Sequence, residues 1–226
     1  MLLRIPQVLT LEQVDQCRAL LRQANWQDGK ATAGPQAARV KNNHQVPADS
    51  PEAQQMAALI IQALQNNPLF MSAALPSKIL PPKFSCYQNG QAYGAHVDNT
   101  VMRIESGEAL RADVSATLFL TQPEEYQGGE LIIHDSFGEQ QIKLAAGDLL
   151  IYPSGSLHQV APVTSGVRLV AFFWIQSLVR SAEQRRTLYE LDGLAQQLRG
   201  ELTAEHAGLT KLSGIYQNLL RQWMDS

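Results

Sequence analysis

His96 and Asp98 stand on either side of one valine in the stretch AYGAHVDNT, residues 92–100. In an extended strand, side chains two residues apart point to the same face, so this spacing sets an imidazole beside a carboxylate. The pair supplies two ligands for a divalent metal of borderline softness, and a third must come from elsewhere. The candidate lies in AAGDLLIYPSGSLHQVAPV, where a proline-glycine turn separates two apolar runs and His158 opens the second. Two histidines and one carboxylate on one face of a metal leave its other positions open. That is the arrangement of non-haem Fe(II) oxygenases, whose vacancies take dioxygen and an organic chelator.

Ten residues further on, Arg168 interrupts the otherwise apolar GVRLVAFFWI. An inward guanidinium on such a strand needs an anionic partner, because a buried unpaired charge is too costly to keep. Its fork matches a carboxylate in bidentate geometry. 2-Oxoglutarate carries such a carboxylate at the end remote from the keto acid that would chelate Fe(II), so Arg168 is the natural clamp.

These residues need a scaffold. From Ile79 onward, short runs rich in β-branched and aromatic residues are closed by glycine, proline or polar clusters. Strands are expected near 83–88, 92–98, 113–121, 129–135, 139–144, 147–152, 157–163 and 167–176. About eight short strands without intervening helical pattern argue for an antiparallel sandwich or barrel, of which the jelly roll is one kind. Before them, Thr10 and Gln13 have capping-box spacing and predict a helix over 10–24. Ser50, Pro51 and Glu52 open a second helix, stopped by Asn66, Asn67 and Pro68. The polar segment 27–49 between them reads as an exposed loop or irregular hairpin. After Ser177, two leucine-rich stripes separated by Gly200 and Thr203 predict a helical hairpin over 180–226, covering a sheet edge or the barrel mouth; an oligomer contact is its alternative use.

Composition narrows the partners. The 226 residues, 45% hydrophobic and 17% charged, can bury one substantial core, and a net charge of -3 offers no footprint for nucleic acid or an anionic membrane. The opening MLLRIPQVLT is too short for a secretory segment, and LVAFFWI falls well below the roughly 20 apolar residues of a membrane span. A cytoplasmic protein is expected. Cys17 and Cys86 are too few for a disulfide framework or a thiolate metal site.

The stretches YQNGQAYGAHVDN, RADVSATLFLTQPEEYQGGEL and LAAGDLLIYPSGSLHQVAPVTSGVRLVAFFWIQSLVR, with the helical tail, resemble the prolyl 4-hydroxylase branch of the Fe(II)/2-oxoglutarate-dependent dioxygenases. Within that branch the sequence is most similar to the bacterial PKHD-type hydroxylases. The resemblance implies a double-stranded β-helix with N-terminal helices packed on it, iron held by His96, Asp98 and His158, and 2-oxoglutarate held by Arg168. It implies further that Tyr87 hydrogen-bonds the cosubstrate and that L-ascorbate restores ferrous iron. On this reading residues 1–178 are the dioxygenase domain, with a β core at about 79–178, and 179–226 a helical appendage. The reaction would hydroxylate a peptidyl or small-molecule substrate, releasing succinate and carbon dioxide.

Two rivals remain. A cupin-like binding module or metal sensor could use the same barrel without oxygen chemistry, but has no need of a carboxylate clamp such as Arg168. A zinc hydrolase could use the same three ligands, but neither HVD nor SLHQV brings a glutamate base. His134, beside Asp135 near a hairpin rim, reads as a surface histidine, and His44 and His206 as solvated ones. Asn99 could meet substrate, and the segments 27–49 and 99–113, the latter with Arg103 and Arg111, are candidate recognition loops.

Overall fold

The computed structural model describes residues 1–32, 34, 37–103, 107, 109–203 and 205–225. Two antiparallel sheets face each other. The larger runs in the order Leu3–Ile5, Leu149–Pro153, Val114–Phe119, Arg168–Ser177, Lys83–Tyr87, His44–Gln45 and Gln27–Asp28, with Pro76–Ile79 paired to the far end of Arg168–Ser177. The smaller runs Gly138–Ile142, Leu131–Asp135, Leu157–Val160, Ala92–His96 and Lys41–Asn42. This is the expected jelly-roll architecture.

Period-two alternation assigns each face of the larger sheet. Val114, Ala116 and Leu118, with Leu149, Ile151, Ala171, Phe173 and Ile175, enter one hydrophobic core. The helices Leu11–Gln23, Pro51–Gln65 and Pro68–Ala74 cover that face through Val14, Leu21, Met56, Ile60, Leu64 and Phe70. Each such side chain contributes about 1.5–3 kcal/mol on burial, which fixes the sheet against its helices. The opposite face, with Phe119, Leu150, Tyr152 and Val170, meets Leu131, Ile133 and Val160 of the smaller sheet in a second core. The polar and charged residues of interest open into this inter-sheet space.

Helix boundaries follow the caps. Thr10 accepts from the Gln13 N–H and Gln13 accepts from the Thr10 N–H, completing the capping box. Ser50 accepts from Ala53 N. The stop at Asn66–Pro68 is also a start: the Asn67 side chain accepts from Phe70 N, Pro68 takes the first helical position, and the short helix Pro68–Ala74 follows.

Of the two readings of segment 27–49 the irregular hairpin holds, since Gln27–Asp28 pairs antiparallel with His44–Gln45, and the exposed loop does not. The segment supplies Lys41–Asn42 to the smaller sheet and His44–Gln45 to the larger, so the chain crosses between sheets at Asn43. Lys41, Asn43 and Gln45 are buried as a result. His44 is likewise not simply solvated, since its Nδ1 lies 2.9 Å from Gln91 Nε2. The connection 99–113 contains a small ladder of its own, Val101–Arg103 with Ala109–Arg111. Residues 33, 35–36, 104–106 and 108 of these two segments fall outside the described residues.

The C-terminal helices Ala182–Glu201 and Ala207–Trp223 form the expected hairpin. Leu188, Tyr216, Leu219, Leu220 and Trp223 pack on Leu75 and Val179, and Ser72 Oγ donates to Asp192 at 2.6 Å. The hairpin therefore buttresses the end of Arg168–Ser177, and none of its described residues lines the cavity between the sheets. No helix among the described residues is long and apolar enough to cross a membrane.

Candidate active site

His96 ends the strand Ala92–His96, and its direct cross-strand partner is His158 on Leu157–Val160. Antiparallel pairing thus brings the two imidazoles side by side, with ring centroids 4.3 Å apart and planes tilted by 49°. Each Nδ1 bonds the carbonyl two residues back: His96 to Gly94 at 2.8 Å, His158 to Ser156 at 3.0 Å. These bonds place the proton on Nδ1, so each Nε2 presents its lone pair to the cavity. Burial, followed by the neighbouring His158 charge, lowers the His96 pKa to about 4, which keeps the ring neutral and ready to ligate at pH 7.

Asp98 lies just past the strand end, so pleating alone does not orient it. Ser115, on the facing sheet, donates to Asp98 Oδ2 at 2.6 Å, and its hydroxyl shares a 2.8 Å hydrogen bond with Ser154. The result is a compact donor set. One ligand atom each from His96, Asp98 and His158 all lie within 4.8 Å of one another, with His158 Nε2 3.8 Å from Asp98 Oδ2. Two imidazole nitrogens and a carboxylate fit a ferrous ion with open positions. Ser115→Ala should lower iron affinity by about 10–100-fold, the usual cost of removing an outer partner of a ligand, leaving the fold intact. Equilibrium titration of the variant with Fe(II) under anaerobic conditions measures this.

Arg168 is 1% exposed, the largest of the fully buried side chains, at the inner end of the same cavity. Its guanidinium carbon sits 5.3 Å from the Tyr87 ring and 5.4 Å from the Phe119 ring. Among the described residues its Nε has no hydrogen-bond partner. A buried donor of fixed charge left this way is the mark of a site completed by an anion, and a carboxylate of 2-oxoglutarate fits it. Gly129 makes room for the arginine stem. It holds φ +69°, and a Cβ there would meet Val163, Tyr126 and Arg168 Cδ at 2.8–3.0 Å. Tyr87, directly opposite Arg168 across the ladder, is buried, and burial holds its phenol pKa above the usual value, so the hydroxyl remains a donor.

Comparison with known proteins shows the family. Residues 82–176 match the 2OG-Fe(II) oxygenase superfamily, and residues 183–225 match the PKHD-type hydroxylase C-terminal domain. A PKHD-type hydroxylase of Pseudomonas aeruginosa (strain LESB58) is 51% identical over 226 residues, covering 100% of both chains. Another, from Stenotrophomonas maltophilia (strain R551-3), is 50% identical over 225 residues with the same coverage. The chain belongs to the PKHD-type hydroxylases. Solved structures share the fold at lower identity. A Pseudomonas putida prolyl-4-hydroxylase superposes with TM-score 0.53 at 20% identity, over 78% of this chain and 92% of that one. HygX from Streptomyces hygroscopicus, solved with nickel and 2-oxoglutarate, gives 0.54 at 16% identity, over 78% and 82%.

As a PKHD-type hydroxylase the protein is an oxidoreductase of the Fe(II)- and 2-oxoglutarate-dependent class. That membership sets aside both the cupin-like sensor and the zinc hydrolase; among the described residues lining the cavity, no glutamate offers a base for the latter. Several cavity residues carried no assigned role in the sequence. Tyr93 stacks on His96 with centroids 3.6 Å apart, and Tyr152 meets His158 edge-on at 5.1 Å. Lys41 lies over Tyr93, its ammonium 5.3 Å from the ring centroid. Asn99 lines the cavity but is exposed.

Other sequence candidates lie elsewhere. His134 is only partly exposed; it pairs with Glu139 at 3.1 Å on the outer side of the smaller sheet. His206 is exposed and caps the last helix by accepting from Gly208 N. Cys17 and Cys86 are buried thiols, pushed up to about 11 by desolvation, and neither belongs to the metal cluster.

Proposed function

We propose that His96, Asp98 and His158 hold the ferrous ion and that Arg168 binds the remote carboxylate of 2-oxoglutarate, with Tyr87 donating to the same cosubstrate. The observation that carries this reading is the convergence of the three ligand atoms while both Nδ1 atoms are engaged by backbone carbonyls. The substrate, peptidyl or small-molecule, would enter from the open end of the cavity. When bound, iron and 2-oxoglutarate supply the oxidative decarboxylation that consumes dioxygen, releases succinate and carbon dioxide, and hydroxylates a substrate C–H bond.

The chain's own part in this is positional. The backbone carbonyls of Gly94 and Ser156 fix the tautomers of His96 and His158. Ser115 turns the Asp98 carboxylate toward them. Leu131, Val160 and Val170 line the space between clamp and ligands with apolar surface, keeping bulk water from the reacting atoms. Residues 1–178 we take as the oxygenase unit and 179–226 as an appendage. The separate match of 183–225 and the absence of described cavity residues beyond Trp174 support that division.

The experiment is oxygen uptake and succinate release by the purified Fe(II) protein with 2-oxoglutarate, alongside His158→Ala. Wild type should form succinate only when iron, cosubstrate and oxygen are all present, and the variant should lose both iron and turnover. Full iron occupancy in His158→Ala would remove that residue from the ligand set.

A further inference from the structure

The polypeptide leaves Asp98 for the ribbon of Val101–Arg103 with Ala109–Arg111, then comes back through Asp113 to Ser115, the residue bonded to Asp98. Both ends of this excursion are tied to the proposed ligand set. Met102 and Arg103, on its outgoing strand, line the cavity together with His96 and Asp98. A two-stranded ribbon this short is marginal by itself, so its place beside the cavity depends on what holds its returning strand.

The hold is concentrated on Arg111. Its Nε and Nη2 donate to the two carboxylate oxygens of Asp113 at 2.7 and 3.0 Å, Nη2 donates also to the Ser177 carbonyl at 3.3 Å, and Nη1 pairs with Asp225 at 2.7 Å. Its backbone N–H donates to the Gln176 side chain at 3.1 Å. Asp113 is itself buried and fixed a second time, accepting from Ser177 N at 2.9 Å. Buried Leu110 and the bond from Ala112 N to the Thr100 carbonyl complete the anchorage.

Asp225 comes from the far end of the chain, just beyond the helix Ala207–Trp223. There Met224 pairs with Val179 in an antiparallel bridge, and Asp225 N donates to the Leu178 carbonyl at 2.8 Å. Val179 is fully buried and packs with Leu188 and Trp223, so the tail is seated on the hairpin's own core. Arg180 also approaches the Asp225 carboxylate, at 3.7 Å, but is far more exposed than Arg111. A further arginine of the hairpin, buried Arg185, donates to the Val179 and Arg180 carbonyls at 2.8 Å and to that of Asp113 at 3.3 Å. The hairpin adds nothing to the described cavity lining, yet it grips the place where the ribbon returns.

We propose that the C-terminal hairpin sets the substrate side of the active site: Asp225 latches Arg111 and so holds Met102 and Arg103 at the cavity. Arg111 and Asp225 are positioning residues for substrate entry, and the residues proposed for iron and cosubstrate act without them. The inference rests on the reading of this cavity as the active site.

The test follows hydrogen exchange in the anaerobic Fe(II) and 2-oxoglutarate holoenzyme for wild type, Asp225→Asn, Asp225→Glu and Asp225→Arg. Asp225 is 45% exposed, so these substitutions leave the core alone. Asp225→Asn should speed exchange of peptides covering 99–112 by about 2–5-fold, the range of a part-exposed ion pair. Asp225→Arg, which sets a like charge beside Arg111, should exceed that, and Asp225→Glu should stay nearer wild type. Peptides covering Ala92–His96 and Leu157–Val160 should not change, nor should affinity for Fe(II) or 2-oxoglutarate. Raising salt from about 0.01 to about 1 M should speed the wild-type ribbon and barely alter Asp225→Asn, a response that a merely structural residue would not produce. In a Met102→Cys background, Asp225→Asn should accelerate maleimide labelling to the same degree; Cys17 and Cys86 are buried and add little. Ribbon exchange indifferent to all three substitutions overturns the proposal. So does acceleration confined to the two C-terminal helices, or spread evenly over both sheets. Wild type that binds neither iron nor 2-oxoglutarate would instead refute the functional reading, and ribbon exchange would still decide the latch.

Discussion

Asp98→Ala is expected to fold and to bind no ferrous ion under conditions that saturate the wild-type protein. Of the three converging ligands, Asp98 alone brings a negative charge, and with His96 neutral the variant would offer the metal only two imidazoles. The loss should exceed the ~10–100-fold penalty for removing an outer partner such as Ser115, because a metal–ligand bond and its Coulombic attraction go together. Coupled succinate formation should fall below detection. The fold should tolerate the change, since Ser115 loses one acceptor but retains its bond to Ser154, a net cost of about 1 kcal/mol. Asp98→Asn separates the causes: it keeps shape and one carbonyl ligand but no charge, and should bind iron more weakly than wild type yet better than alanine. Metal analysis of anaerobically loaded protein, beside a thermal melt, measures both halves. Stoichiometric iron in Asp98→Ala would take that residue out of the ligand set.

The residues proposed to hold iron and cosubstrate stand out in the sequence because their types are uncommon in the places they occupy. A histidine two positions from an aspartate, a histidine opening a strand after a Pro-Gly turn and an arginine within an apolar run each violate the surrounding pattern. What the pattern could not carry was the support. Ser115 sits in VSATLF, where a hydroxyl residue is simply compatible with a strand; only the facing sheet makes it the partner of Asp98. Ser115 and Thr117 are polar, two residues apart on a strand buried on both faces, and that periodicity was the available signal of a polar interior on one side. The strands Lys41–Asn42 and His44–Gln45 were unreadable for a different reason. Each is two residues long and polar, and its burial comes from sheets that exist only after closure. Nothing in a polar segment readable as loop or irregular hairpin marks Lys41, which lies beside Tyr93 in the cavity. The expected strand over 92–98 also ran too far: its ladder stops at His96, and Asp98 reaches the site by its bond to Ser115 instead of by alternation.

Replacement of Arg168 by methionine should move two measurements in opposite directions. The guanidinium is 1% exposed, and its Nε has no hydrogen-bond partner among the described residues, so before cosubstrate binds the fold carries a desolvated charge with incomplete compensation. An apolar side chain of similar length removes that burden, and such replacements of buried ionic groups are often neutral or stabilising by about 1–4 kcal/mol. The melting temperature of the protein without cosubstrate should hold steady or rise. Binding of 2-oxoglutarate should suffer, because taking one partner from a buried ionic contact costs about 3–5 kcal/mol, so its KM should increase by roughly 100-fold or more. Wild type should gain about 2.7 kcal/mol of stability at a cosubstrate concentration of 100 times Kd, and the variant should show no comparable gain at that concentration. Iron binding should survive, since Arg168 is not in the ligand cluster. Arg168→Lys restores charge without the bidentate fork and should recover only part of the affinity. The opposed shifts are what distinguish a clamp from a structural arginine: a residue that merely braced the sheets would lower the melting temperature when removed and leave the response to 2-oxoglutarate unchanged.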